Sequence, residues 1–405
     1  MQPLKGPMTR EKILEGLNLC IPAFMGVFIF LNPFPYTTAV KEICFYGAVI
    51  MLLFLACFRR LEFSFRSPLT IPFLLFAAWA FIGLFFALDK QNSVHDYQTH
   101  LLKYLVFYFI LINYFRSRER LFNLAGIIMI SATLFSIGEI VYFYGILGNP
   151  LSVKLVTGLP EVAVNWVGII VIPAAVFSLH NVIAEDRRHL KAVSVICLFS
   201  TFAICMLTQA RSTVLALFLS ITILCFRNKK IMMACLGIVL IFTMTTSIND
   251  RFTDVEPIIG RLGTYCITYE IIKDYPIMGI GFGMETYGSG KHIDLQAYNK
   301  RIPEKYRGYI YTDPHSMPFS VAVRTGLIGL VLCLYILFAA FRMGWTSIRQ
   351  RKDDQWGRRL ISAFVGVLVI GFFEPFFSHV PEVIFFTLLA MITIVWKWSD
   401  IRTEQ

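Results

Sequence analysis

The segment Pro276-Ile-Met-Gly-Ile-Gly-Phe-Gly283 lies within the only long polar stretch of this chain, Asn249 to His315. On both sides of that stretch, apolar runs follow one another with short polar breaks. A membrane-spanning helix needs roughly 20 apolar residues, and runs of about that length recur from Leu17 almost to the C-terminus. The pattern therefore predicts an all-α, polytopic integral membrane protein with one large loop.

The overall composition favours the same class. Of the 405 residues, 57% are hydrophobic and 16% are charged, and the mean hydropathy is +0.65; a soluble fold of this size cannot bury so much apolar surface. The formal charge is +11, but the basic residues form short clusters between apolar runs, so no nucleic-acid partner is predicted. The nine cysteines lack Cys-x-x-Cys spacing, which predicts neither a disulfide framework nor a metal site.

The apolar runs define about twelve transmembrane helices, which the distribution of Lys and Arg orients. With the N-terminus in the cytoplasm, every segment assigned to the cytoplasmic side is basic, as the positive-inside rule requires. Residues 1–248 then hold spans one to nine, residues 249–315 form the outer loop, and residues 316–405 hold spans ten to twelve and a cytoplasmic tail. The predicted spans are 17–31, 38–58, 69–88, 99–115, 121–147, 163–180, 191–207, 212–226, 231–248, 316–341, 360–378 and 381–397.

The outer loop is predicted to have structure of its own. Apolar and aromatic residues are dense enough between Arg261 and Asp274 for a partly buried helix, which Pro276 ends. The glycines that follow, Gly279, Gly281 and Gly283, give a turn that suits close approach of the backbone to a ligand.

Two arginines are candidates for binding an anion. Arg211 stands where one apolar run ends and the next begins. A charge is expensive at that depth, which favours a functional anionic partner over a snorkelling side chain. Arg261 lies in the polar loop, where an arginine is usually solvated. Together, however, two guanidinium groups can hold a diphosphate and stabilise the charge that develops as it leaves.

His315 directly precedes the tenth predicted span and is the candidate general base. A histidine exchanges protons near neutral pH, which suits removal of a proton from an attacking hydroxyl, although most loop histidines are ordinary surface residues. Glu374 and His379 lie in the last outer turn, Phe372-Phe-Glu-Pro-Phe-Phe-Ser-His379. A carboxylate there would orient a base or bind an acceptor, and a solvated turn is an equally good interpretation.

The order and spacing of these motifs resemble the signature of the O-antigen ligase and polymerase superfamily. The matching elements cover roughly Thr208 to Leu330. They are Ala210-Arg-Ser212, Gly260-Arg-Leu262 with Tyr265, the Pro276–Gly283 turn, Pro314-His-Ser-Met317 and Arg324-Thr-Gly-Leu-Ile-Gly-Leu330. The sequence departs from the family pattern at Ser316, where Asn is usual, and at Tyr265, where Trp is common.

The resemblance implies an inverting, metal-independent glycosyltransferase without a cofactor, in the bacterial inner membrane with its active site facing the periplasm. The donor would be a glycan on undecaprenyl diphosphate, and the acceptor a sugar hydroxyl of the lipid A-core oligosaccharide in lipopolysaccharide biosynthesis. In the same way, Arg211 and Arg261 would bind the diphosphate and His315 would activate the acceptor, with Tyr265, Glu374 and His379 as secondary candidates.

Other functions fit parts of the same pattern. A polymerase that uses a second lipid-linked glycan as acceptor needs the same residues, and protein O-glycosylation is a further variant; one dominant outer loop favours the ligase. Transport, for example by a flippase, predicts ionisable residues along a path through the bilayer, whereas here the polar candidates gather on the outer side. A metal-dependent glycosyltransferase is disfavoured because the first outer loop, Asn32 to Thr38, has no carboxylate.

Overall fold

The computed structural model describes residues 10–58, 63–156, 164–245, 256–308, 310–350, 356–375 and 378–400, which form helices and no strand. Their bounds are α1 Arg10–Phe30, α2 Thr38–Cys57, α3 Thr70–Leu84, α4 Lys90–Asp96, α5 Lys103–Tyr114, α6 Arg118–Ile140, α7 Val164–Ala184, α8 Arg188–Leu207, α9 Arg211–Cys225, α10 Lys229–Thr245, α11 Glu256–Asp274, α12 Leu295–Arg301, α13 Met317–Gln350, α14 Trp356–Gly371 and α15 His379–Asp400.

Helices occupy all the predicted spans. Six of the described helices are long and apolar enough to cross a membrane, and three shorter apolar helices accompany them. The chain is therefore a multi-pass membrane protein, while the number of twelve crossings stays a prediction. The start of the predicted outer loop and the ends of the ninth and eleventh predicted spans fall partly on residues 246–255 and 376–377, which lie outside the described residues.

A π-helical turn, Tyr97–Leu102, joins α4 to α5, so that the chain is helical from Lys90 to Tyr114. Asp89 caps the start of this helix, because its carboxylate accepts a hydrogen bond from the backbone N–H of Asn92. Single π-helical turns inside longer helices are found frequently at functional sites. The turn places His100 in the protein interior, facing α15.

The polar segment folds onto the membrane helices. Its helix α11 ends at Asp274, as predicted from Pro276, and packs against α13. A small apolar core joins α11, α12 and the first part of α13; its buried residues are Ile267, Ile271, Ile272, Ile280, Tyr287, Ile293, Leu295, Tyr298, Ile302, Ala322 and Val323. This core fixes the segment to the end of the helix bundle.

The glycine-rich turn is bound to a break in α13. Gly326 has φ 70° and ψ −179°, which interrupts the helix. The carbonyls of Val323 and Arg324 accept hydrogen bonds from the backbone N–H groups of Ile280 and Gly281, at 2.8 and 3.2 Å. In a continuous helix, these two carbonyls would accept hydrogen bonds from backbone N–H groups four residues later. Because they precede the break, they bind the glycine-rich turn instead.

The glycines of the turn allow other segments of the chain to pack closely against its backbone. Gly279 and Gly281 have φ values of 68° and 111°, which favour glycine. A Cβ on Gly281 would lie 2.6 Å from the Cβ of Ala87, and one on Gly283 would lie 2.0 Å from Oδ1 of Asn92. This corrects the expectation that the turn admits a ligand, because the space beside Gly281 and Gly283 is filled by Ala87 and by the first residues of α4.

Candidate active site

Three predicted site residues from distant parts of the chain meet at one end of the bundle. Nη2 of Arg261 donates to Oε1 of Glu374 at 3.0 Å, and Nη1 donates to the backbone carbonyl of Phe373 at 3.3 Å. Oε2 of Glu374 lies 3.4 Å from Nδ1 of His315. The Glu374 side chain is 4% exposed, against 29% for Arg261 and 25% for His315. A buried carboxylate therefore links a partly accessible guanidinium to a partly accessible imidazole.

Helix α11 presents two of the candidates on one face. Arg261 and Tyr265 are four residues apart, which places them one above the other on a helix. The Tyr265 hydroxyl donates to the backbone carbonyl of His315 at 3.2 Å, and its ring stacks on Phe319 with centroids 5.1 Å apart. Burial raises the pKa of Tyr265, so its phenol stays a neutral donor. Tyr265 thus holds the backbone at the candidate base.

His315 itself is held in an uncommon backbone conformation. Its φ of 48° lies in the left-handed region, which costs energy for a residue with a side chain. Its N–H donates to Oδ1 of Asp313 at 2.9 Å, and Oδ2 of Asp313 lies 3.5 Å from Nη2 of Arg324. The edge of the imidazole packs on the Tyr311 ring, with centroids 4.7 Å apart at 81°. These contacts over-determine the position of the ring.

Asp313 and Arg324 were not assigned roles from the sequence, although both carry recognisable patterns. Asp313 precedes His315 by two residues, which is the spacing at which an aspartate accepts a hydrogen bond from the backbone in an Asx-turn. Arg324 is an arginine inside an apolar run and is only 2% exposed. The argument from the cost of a buried charge that singled out Arg211 applies to it equally.

The structure places Arg211 at the same end of the bundle as Glu374. It is the first residue of α9. A Cβ on Gly168 of α7 would lie 2.4 Å from Oγ1 of Thr213 and 2.7 Å from Cδ1 of Ile370, so α7, α9 and α14 meet there. Ile370 precedes Glu374 by four residues. The joint action of Arg211 with Arg261 stays a prediction.

His379 lies in a second cluster. Its ring stacks on His100, with centroids 4.4 Å apart, and its Nδ1 lies 3.3 Å from the hydroxyl of Tyr104. Its described contacts therefore support no role beside His315, unlike those of Glu374.

The membrane helices bury several charged residues. Lys103, Glu139, Arg324 and Glu382 are all buried. Each lies toward the end of its helix that adjoins the polar segment, since α6 ends there and α5, α13 and α15 begin there. These charged residues and the polar candidates thus lie on the same side of the bundle. A transport path would instead place ionisable residues through the bilayer.

The arrangement suits proton transfer beside an anion-binding group. Glu374, paired with Arg261, accepts a hydrogen bond from Nδ1 of His315, which leaves the imidazole lone pair on Nε2. Nε2 can then take a proton from a hydroxyl. A guanidinium carries five N–H donors, and the two contacts that Arg261 makes with described residues leave others to bind phosphate oxygens.

Comparison with known proteins agrees with the motifs. Residues 195–334 match the family model described as O-antigen ligase, which spans α8 to α10, the polar segment and the first half of α13. Glu374 lies beyond the matched residues. No curated protein matches the chain. The motifs of Arg211, Arg261 and His315 lie inside the match, so this region of the chain is similar to the O-antigen ligase family.

Proposed function

We propose that this protein is an O-antigen ligase that transfers a glycan from undecaprenyl diphosphate to a sugar hydroxyl of the lipid A-core oligosaccharide. The observation that carries the proposal is the convergence of Arg261, Glu374 and His315 within hydrogen-bond or ion-pair distance. An anion-binding cation, a carboxylate and a base are the groups that transfer from a lipid diphosphate requires. The family match supports the same chemistry.

In the proposed reaction, the acceptor hydroxyl attacks the anomeric carbon of the donor while Nε2 of His315 takes its proton. The new bond from the acceptor oxygen to the anomeric carbon forms as the bond to the diphosphate oxygen breaks, which inverts the configuration. The electron pair of the broken bond leaves with the diphosphate. Glu374 stabilises the imidazolium that forms, as a carboxylate beside a histidine base does.

Arg261, with Arg211 as its proposed partner, stabilises the negative charge that develops on the leaving diphosphate. The ion pair with Glu374 has a second consequence for Arg261. It fixes the guanidinium before substrate binds, so less side-chain entropy is lost when phosphate oxygens take its remaining donors.

We place this site on the periplasmic side of the bacterial inner membrane. The basic segments on the opposite side support this orientation through the positive-inside rule. Residues 256–274 and 310–315, with the turn that carries Glu374, then form a catalytic loop beside the outer lipid headgroups.

Transfer by the purified full chain, supplied with a defined undecaprenyl-diphosphate glycan and two alternative acceptors, tests the proposal. Product on the lipid A-core oligosaccharide, lost in His315→Ala, is the expected result. Elongation of the lipid-linked glycan instead would overturn the ligase assignment in favour of a polymerase. Absence of transfer to either acceptor, with a folded protein and an intact donor, would overturn both.

A further inference from the structure

A second cluster of potential metal ligands shares no residue with the Arg261–Glu374–His315 site. His379 and Glu382 are three residues apart in the first turn of α15, so they project from the same helix face. His100 faces them from the π-helical turn Tyr97–Leu102. One ligand atom from each of the three residues lies within 4.8 Å of the other two. We infer that His100, His379 and Glu382 bind a divalent transition-metal ion of the zinc class.

One imidazole and the carboxylate are already as close together as two ligands of one ion. Nδ1 of His100 lies 2.8 and 3.0 Å from the two carboxylate oxygens of Glu382. Zinc bonds to nitrogen and oxygen are about 2.0–2.2 Å long, so neighbouring ligand atoms on the ion lie roughly 3 Å apart. The rings of His100 and His379 are stacked, at 22°, so their in-plane lone pairs do not converge in this arrangement. In the proposed site the exposed His379 ring turns about its side-chain bonds to bring a nitrogen to the ion.

The donor set determines which ions fit. Two imidazoles and a carboxylate suit zinc and related divalent metals better than Mg²⁺ or Ca²⁺, which prefer oxygen ligands alone. The same combination leaves a fourth position open to water in known zinc sites. The carboxylate of Glu382 supplies one of the two negative charges that the ion needs. Two buried cations, Lys103 and Arg324, act on the cluster; they are paired with Glu42 and Asp313, which offsets their repulsion of a metal ion.

The surroundings of the cluster supply an entry path for the ion and a hydrogen-bond partner for His379. His100 and Glu382 are buried, whereas His379 is exposed, so an ion can reach the two buried ligands past the His379 side. The Tyr104 hydroxyl lies 3.3 Å from Nδ1 of His379. Metal-bound histidines almost always use their other ring nitrogen in such a hydrogen bond, which fixes the ring. The π-helical turn that carries His100 is a further feature of functional sites.

The competing explanation is a purely structural network in which His100 donates to Glu382 and no ion binds. Titration of the purified, chelator-treated full chain with ZnCl₂ distinguishes the two. We expect one zinc per chain by elemental analysis after desalting, and a melting temperature that rises with zinc concentration. CoCl₂ gives a second readout, because ligand-field absorption reports the coordination geometry of the bound ion.

His379→Ala is the most informative variant, since this exposed side chain is the least needed for folding. We expect zinc binding at least about tenfold weaker than in the wild type, and likewise for Glu382→Gln. His292→Ala is the matched control, because His292 pairs with Asp89 in the polar segment, and it should bind zinc as the wild type does. No zinc retained by the wild type, or equal retention by folded His379→Ala, would overturn the inference. These readouts do not involve glycan transfer, so they stand apart from the proposed function.

Discussion

Replacing Glu374 with Gln tests how the candidate site works. The substitution preserves the side-chain volume but removes the negative charge that lies between Arg261 and His315. Gln still accepts a hydrogen bond from Arg261, so the main loss is one charge-assisted hydrogen bond to the imidazole. Hydrogen bonds to charged groups contribute about 1.5–3 kcal/mol. If the full amount stabilises the transition state, kcat falls by a factor of roughly 10 to 150.

The assay measures initial rates of glycan transfer at saturating donor and acceptor. Glu374→Gln should lower kcat, because the imidazolium forms only as the reaction proceeds and the ground-state complex lacks that charge. Its melting temperature, measured in the same detergent, shows whether the loss reflects unfolding. Glu285→Gln provides the matched control: Glu285 is exposed in the polar segment, and its neutralisation should leave kcat unchanged.

Two results would refute the reasoning on Glu374. A folded Glu374→Gln protein with wild-type kcat would show that the carboxylate does not assist the base. A variant with unchanged kcat and a raised donor KM would show that Glu374 acts only by holding Arg261 for donor binding. In either case the contact between Glu374 and His315 would be structural.

Three further substitutions test other parts of the site. His315→Ala should lower kcat at least about 100-fold while donor binding and folding persist, and near-normal turnover would contradict its role as the base. Tyr265→Phe should lower kcat by about 2- to 13-fold through loss of a hydrogen bond worth about 0.5–1.5 kcal/mol, with a melting temperature close to that of the wild type. Gly326→Ala should lower the melting temperature, since φ is 70° and its Cβ would lie 1.8 Å from the carbonyl oxygen of Ile277. In contrast, Gly237→Ala, whose Cβ would meet nothing within 4 Å, should not lower it.

Hydropathy and charge located the membrane helices well because both are local properties. An apolar run long enough to span a bilayer is helical almost regardless of its neighbours, since lipid leaves no other partner for the backbone. The same reasoning gave the helix that ends before Pro276. It could not give the π-helical turn at Tyr97–Leu102, which carries the His100 that contacts Glu382 of α15, far away along the chain.

The candidate site was only partly predictable for a related reason. Motifs identified Arg261 and His315 because both residues lie in one continuous region of the chain. Glu374 follows His315 by 59 residues, and nothing in its own turn distinguishes a buried ligand of arginine from a solvated carboxylate. That distinction depends on burial, which the fold alone determines.

The break in α13 at Gly326 connects the fold of the polar segment with the geometry of the candidate site. It frees the carbonyls of Val323 and Arg324 for the glycine-rich turn, which fixes the polar segment on the membrane helices. The same part of α13 carries the Arg324 side chain, which holds Asp313 and, through it, the backbone of His315. The glycines of the sequence motif therefore affect His315, the proposed base, indirectly. They fold the segment so that His315 stands beside Glu374, and a substitution there should disturb the reaction by moving the base and not by removing a substrate contact.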